Sequence, residues 1–281
     1  MSHILGVPFY KYPIRRICRL SLADCFDGSF VNPLIPDSQE ETQTWISSLV
    51  IIEQRIHLSV EENKMPIFTN PNWFILCGSG GAAVAVLGSA LAGFAYRGKE
   101  GERYSPLNHF ISELGEVGVS RWALAFNLGL ILSGIALVPA ALSLGLALPG
   151  ILAKLGLVAG VVCGVALALV GVFPMNKIEP HGKAAMTYFR SGLAMVVLFS
   201  LAIAFHTGDV ISPWYALAGL PPILSFGAFL ILIGRAYREE DADPLATEDV
   251  PRPRFWLLAA VEWSIFLSVL LWFLIIAVGL G

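Results

Sequence analysis

The sequence predicts an all-α polytopic membrane protein: a bundle of six transmembrane helices with a short amphipathic helix in the first loop. Three observations predict it. The 281 residues are 56% hydrophobic and only 14% charged, where a soluble domain carries about 25% charged residues. Mean hydropathy is +0.71. Six apolar runs are each long enough to cross a hydrocarbon core, which takes about 20 residues.

The runs are Trp73–Tyr96, Trp122–Leu148, Ile151–Phe173, Tyr188–Phe205, Trp214–Ile233 and Phe255–Leu280. Trp73, Trp122, Trp214 and Trp256 stand near run ends, where amphipathic rings favour the membrane interface. The third run carries Gly156, Gly160 and Gly164, and the first carries Ser79, Ala83, Gly88 and Ala92. Small residues four apart let helix backbones approach closely. They serve packing inside one bundle, the favoured reading, or a homo-oligomer formed through these faces.

Basic residues set the orientation. Loop one holds Arg97, Lys99, Arg103 and Arg121; loop three holds Lys177 and Lys183; loop five holds Arg235, Arg238, Arg252 and Arg254. Loops two and four are nearly free of them. The positive-inside rule puts loops one, three and five in the cytoplasm and both termini outside. The expected location is the plasma (inner) membrane of a bacterium or archaeon, with membrane lipids as partners. A net charge of −3 gives no basis for a nucleic-acid partner. Cys18, Cys25, Cys77 and Cys163 show no metal or redox spacing, so no metal site is expected; the sequence leaves the cofactor open.

Residues 1–64 do not match this pattern. They carry Lys11, Arg15, Arg16, Arg19, Arg55 and Lys64 without an apolar stretch of signal-peptide length. Trp45–Val60 has the pattern of a short amphipathic helix. Met65 opens an uncharged lead-in to the first span, and the functional protein is expected to start there. The alternative is a small extracytoplasmic or regulatory segment. The transmembrane domain is 65–281.

Two polar motifs share one membrane side by loop parity. In loop one, Ser105-Pro106 reads as a helix start and Gly115 as a stop. Leu107, Phe110, Ile111 and Leu114 then form an apolar face. Asn108, His109, Ser112 and Glu113 fall opposite, with His109 and Glu113 one turn apart. Gly115 and Gly118 give a turn before Ser120, read as the cap of span two. In loop three, Pro174 stops the third helix and Pro180 opens the fourth, with His181 in its first turn. Asn176 lies between. Glu262 is eight residues beyond Arg254, ~12 Å into the membrane, and Arg190 lies at similar depth. Ionisable groups in a span ask for a partner, so these two are expected to pair. The alternative is Arg190 snorkelling alone to the headgroups. Asn127 and His206 read as interhelical hydrogen-bonding groups.

The motifs Tyr104-Ser-x-Leu, His109-Phe-Ile-Ser-Glu-Leu-Gly115 and Gly171-x-Phe-Pro174 with His181 resemble those of the bacterial and archaeal domain-of-unknown-function 998 family. That family is similar in layout to the eukaryotic Frag/DRAM/Sfk-type six-helix proteins. The resemblance covers about residues 70–280. It implies the six-helix fold and candidate positions, and no activity. Where members commonly carry Asp after Phe-Pro, this chain has Asn176.

The expected site is one polar cluster at the cytoplasmic mouth: His109, Glu113 and His181 with Glu262 and Arg190 beneath, supported by Ser112, Asn176 and Asn127. Three functions fit it. The first is a binder or enzyme acting on lipid. The second is a transporter or channel using the Arg190–Glu262 pair. The third is a structural or assembly protein whose motifs cap helices and tie loops. No HExxH or GxSxG motif is present.

Overall fold

The computed structural model describes residues 69–205, 210–239 and 253–281. The expected helix over 45–60, the start at Met65 and His206 lie outside these residues. Six helices are long and apolar enough to cross a membrane: α1 (Asn72–Ala95), α2 (Ala123–Ala147), α3 (Gly150–Val172), α4 (Ile178–Ala204), α5 (Leu220–Glu239) and α6 (Leu257–Leu280). The protein is an all-α bundle of six such helices.

Two spans differ from expectation. The fourth starts at Ile178 rather than Tyr188, because Ile178 to Thr187 form a more polar extension of the same helix. At 27 residues, α4 is about 40 Å long and exceeds a hydrocarbon core of about 30 Å. The fifth opens with a 3-10 helix, Pro213–Gly219, before α5 proper. Ser120 is not the cap of α2, whose N-cap is Trp122.

Each helix packs on its sequence neighbours, and α6 returns to close on α1. The result is a ring of helices around a central axis. Between α1, α2 and α3 the contacts are backbone-close. A Cβ on Gly88 would stand 2.8 Å from the Ala125 carbonyl, and one on Gly134 would stand 2.5 Å from both the Ala168 amide and the Gly164 carbonyl. Gly156, Gly160 and Gly164 face Phe199, Ala141 with Met195, and Gly134. The glycine series is therefore used within the chain. The outer face of α3 is bulky instead, with Ile151, Leu155, Val158 and Val162 exposed.

Aromatic rings pack α4, α5 and α6. Phe189 meets Phe229 at 4.2 Å between centroids, and Phe199 stacks on Trp272. Trp272 in turn meets Phe273 and, on α1, Phe74.

Candidate functional site

The loop-one motif folds as a turn over residues 106–108 followed by a 3-10 helix, Ile111–Gly115. This corrects the single amphipathic helix expected there. The Tyr104 hydroxyl accounts for the break. It sits 2.9 Å from the Phe110 carbonyl and 3.3 Å from that of His109, so both are drawn away from a helical ladder. Phe110 is extended and starts the 3-10 helix. Glu113 reaches back to accept from the Phe110 N–H at 2.9 Å, as a residue at the third helical position does in a capping box.

The expected outward polar face is turned inward. His109 is 2% exposed and Glu113 1%. The His109 ring lies between Tyr96 and Tyr104, with centroids 5.4 and 5.1 Å away. Its Nδ1 is 2.7 Å from Asn108 Oδ1, and its Nε2 is 3.8 Å from a Glu102 carboxylate oxygen. Tyr96 also donates to Glu113, at 3.5 Å. Burial here is compensated: ring faces and Asn108 stand in for water at His109, and the Tyr96 hydroxyl and Phe110 N–H do so at Glu113.

The segment is a plug, fastened from two sides. On the α6 side, Glu262 accepts from the Ile111 N–H at 2.8 Å, and the Ser112 amide is also directed at the carboxylate. Trp263 Nε1 donates to the Tyr104 hydroxyl at 2.8 Å, and the Trp256 N–H donates to the Leu107 carbonyl at 2.8 Å. On the other side, Asn127 of α2 donates to the Gly115 carbonyl at 3.0 Å. Any side chain at Gly115 would strike that Asn127 amide. Asn176 pairs with Val117 in both directions, at 2.7 and 2.8 Å. These contacts put loops one, three and five at one end of the bundle, as parity requires. Burial drives the Tyr104 phenol far above its usual pKa, with the Glu262 and Glu113 charges adding to the rise and the Trp263 bond opposing it. Tyr104 is therefore a protonated donor at every physiological pH.

Beneath the plug lie two cavities. The upper, about 60 Å³, is lined by Ser112, His181, Tyr188 and Glu262 among apolar neighbours. The lower, about 70 Å³, is walled by residues from all six helices, from Gly78 and Gly81 on α1 to Phe273 on α6. Leu130, Leu167, Tyr188 and Phe266 border both, so one axis runs from a polar upper end into an apolar chamber. His181 Nδ1 is 2.7 Å from the Phe173 carbonyl. A carbonyl only accepts, so Nδ1 carries the proton and Nε2 of the neutral ring is left as an acceptor.

The sequence-predicted residues thus divide three ways. His181, Glu262 and Ser112 share the upper cavity. His109 and Glu113 form a separate cluster with Tyr96 and Tyr104, joined to Glu262 through the plug backbone. Arg190 joins neither: it is exposed on the outside of α4 and lines an external crevice. Glu262 is satisfied by backbone N–H groups, which corrects the expected Arg190–Glu262 pair. The reason is rotation. Arg190 follows His181 by nine residues, or about two and a half helical turns, so it faces away from the axis that His181 faces. Tyr188 follows by seven and returns to the same face. That i, i+7 spacing was the signal by which Tyr188 could have been found. Among the described residues, no cluster of three or more His, Cys, Asp or Glu forms a metal site.

No curated protein and no solved structure matches this chain. The further likeness to Frag/DRAM/Sfk-type proteins thus finds no support in these comparisons. A family model, DUF998, protein of unknown function, matches residues 80–279. This spans the plug, both loop motifs, the upper cavity, most of the lower one and α6 almost to its end, so the chain is an integral membrane protein of the DUF998 family.

Proposed function

We propose that the bundle binds a lipid-derived amphiphile, its head at His181, Tyr188 and Glu262 and its apolar part in the chamber below. One observation carries this reading: the polar cavity under the plug and the apolar cavity walled by all six helices share four lining residues. A concave apolar site with a few convergent polar groups is the usual form of a small-molecule site. The polar groups are suited to a hydroxyl head, which both donates and accepts. His181 Nε2 accepts, and the Tyr188 hydroxyl can donate. The transporter reading loses the Arg190–Glu262 pair on which it rested. The structural reading is favoured by a different observation, the fastening of the plug by Glu262, Trp263 and Asn127, and it predicts an empty chamber.

Mass spectrometry of the organic extract of purified protein separates the two. Val269 lines the lower cavity, and Val269→Trp fills it. An amphiphile that co-purifies with wild type and is depleted from a Val269→Trp protein of equal melting temperature supports binding. Identical extracts from the two proteins, or no amphiphile in either, support the structural reading.

A further inference from the structure

The outer side of α4 carries a feature that neither the plug nor the chamber uses. Arg190 and Lys183 line an external crevice of about 630 Å³ between α4 and α5, with Met186, Leu230 and Gly234. Lys183 and Arg190 are seven residues apart on one helix face. Arg238 follows Gly234 by one turn, on the α5 face that borders the crevice, and its Nε is fixed on the Gly234 carbonyl at 3.0 Å. That bond uses one of the guanidinium's five N–H groups. Because α4 leaves and α5 approaches the same end of the bundle, Lys183 and Arg238 are at the crevice mouth and Arg190 is deeper.

The charge balance of this crevice is uneven. Lys183 has Glu179 as its neighbour at 2.6 Å, but that pair is exposed on both sides and contributes little. Arg190 has no carboxylate partner among the described residues, although it lies within an apolar span. If the first seven or so residues of α4 project beyond the hydrocarbon core, Arg190 lies within one long side chain of the interface. A guanidinium there needs an anion or water, and its fork geometry matches a phosphate bidentately.

We propose that this crevice is a binding site for the headgroup of an anionic phospholipid, the phosphate held by Arg190 with Lys183 and Arg238 at the rim. The acyl chains lie along Met186 and Leu230. Charge complementarity selects the lipid class: among the described residues Lys183, Arg190 and Arg238 stand against one exposed carboxylate, Glu179, so a zwitterionic headgroup, which brings its own cation, is disfavoured. The site faces the surrounding bilayer and is independent of what the central chamber holds.

The test uses purified full-length protein in detergent, delipidated and then titrated with phosphatidylglycerol or phosphatidylcholine. Melting temperature and native mass spectrometry are the readouts. The expected result is that phosphatidylglycerol stabilises wild type more, with about a tenfold preference in occupancy, the order expected of a charge-assisted hydrogen-bonded contact. Arg190→Gln abolishes the preference, and Arg190→Lys, which keeps the charge but loses the fork, restores part of it. If Arg190→Gln does not fold, the exposed pair Lys183→Gln with Arg238→Gln replaces it and reduces the preference. Equal stabilisation by both lipids, or a preference untouched in these variants, overturns the proposal. So does stabilisation by inorganic phosphate alone that matches phosphatidylglycerol, since the occupant would then be a soluble anion.

Discussion

The two sides of the ring are held together differently. Helices α1, α2 and α3 meet through glycine and alanine, backbone against backbone, as at Gly88, Gly134 and Gly164. Helices α4, α5 and α6 meet through rings, as at Phe189–Phe229 and Phe199–Trp272. In lipid there is no hydrophobic drive for helices to associate, so close packing and polar contacts must do it. The glycine side achieves this by proximity and leaves no slack. The aromatic side achieves it with large faces that touch at edges and angles, leaving room between them. The chamber lies where the two meet, with Gly78 and Gly81 on one wall and Phe226, Phe266 and Phe273 on the other.

The largest effect is expected on the glycine side. In Gly134→Ala the new methyl would stand 2.5 Å from two backbone atoms of α3, which cannot rotate away. The helices must separate, and contacts are lost along their whole length. A loss of about 3 kcal/mol is expected, at the upper end for overpacking, read as a lowered melting temperature in detergent. Gly227→Ala, on α5 with nothing within 4 Å of the new carbon, is the control. It is expected to be neutral, or to stabilise by up to about 1 kcal/mol through helix propensity. Equal losses at both positions would remove the distinction between the sides.

On the aromatic side, Phe229→Ala deletes a buried ring that packs closely, at a tilt, on Phe189. In a soluble core this costs about 3–5 kcal/mol. Here the unfolded reference is also apolar, so only packing is lost, and about 1–2 kcal/mol is expected. The same melts rank it below Gly134→Ala; the reverse order would show that rings, not glycines, dominate cohesion.

The plug ties the two sides together, and its fastenings can be cut separately. Tyr104→Phe cuts one on the aromatic side, the bond from Trp263. It leaves Trp263 Nε1 without its acceptor and the Phe110 carbonyl without its donor, at a cost of about 1–2 kcal/mol. The phenol also gives a pH signature. Its folded pKa is raised, so its contribution is present in full below the unfolded value near 10 and is lost as pH climbs from there through the folded one. Wild type should lose more stability than Tyr104→Phe above about pH 10. Parallel pH profiles would mean that the phenol is not the buried donor described here.

How much of this was legible in the sequence follows from which forces act at short range. Span number, the end shared by loops one, three and five, and the inward glycine series follow from composition and spacing. The loop-one helix did not, because the Tyr104 hydroxyl competes with the local hydrogen-bond pattern from outside it. The inward turn of His109 and Glu113 did not, because an amphipathic pattern presumes that polar means wet; here Tyr96 and the plug's own backbone N–H groups serve as the solvent. The Arg190–Glu262 pairing rested on depth alone. Depth along a helix is set by residue count, but partnership also depends on rotation about its axis. The backbone donors that satisfy Glu262 have no signature in a sequence.

The smallest effect is expected at the glycine-side fastening in loop three. Asn176 both donates to the Val117 carbonyl and accepts from the Val117 N–H, closing a two-way bridge that an ionised carboxylate cannot make. Asn176→Asp keeps the acceptor and replaces the donor with a second acceptor, which faces the Val117 carbonyl. The position is exposed, so water can repair part of the loss, and a cost below about 1 kcal/mol is expected. Acidification should recover part of it, since a protonated Asp regains one donor as pH falls through about 4. The sharper readout is local: amide exchange at Val117 should rise in Asn176→Asp while exchange at Ile111, held by Glu262 on the other side, stays as in wild type. Exchange rising at both would mean that the plug opens as one piece, and that the two sides of the ring do not hold it independently.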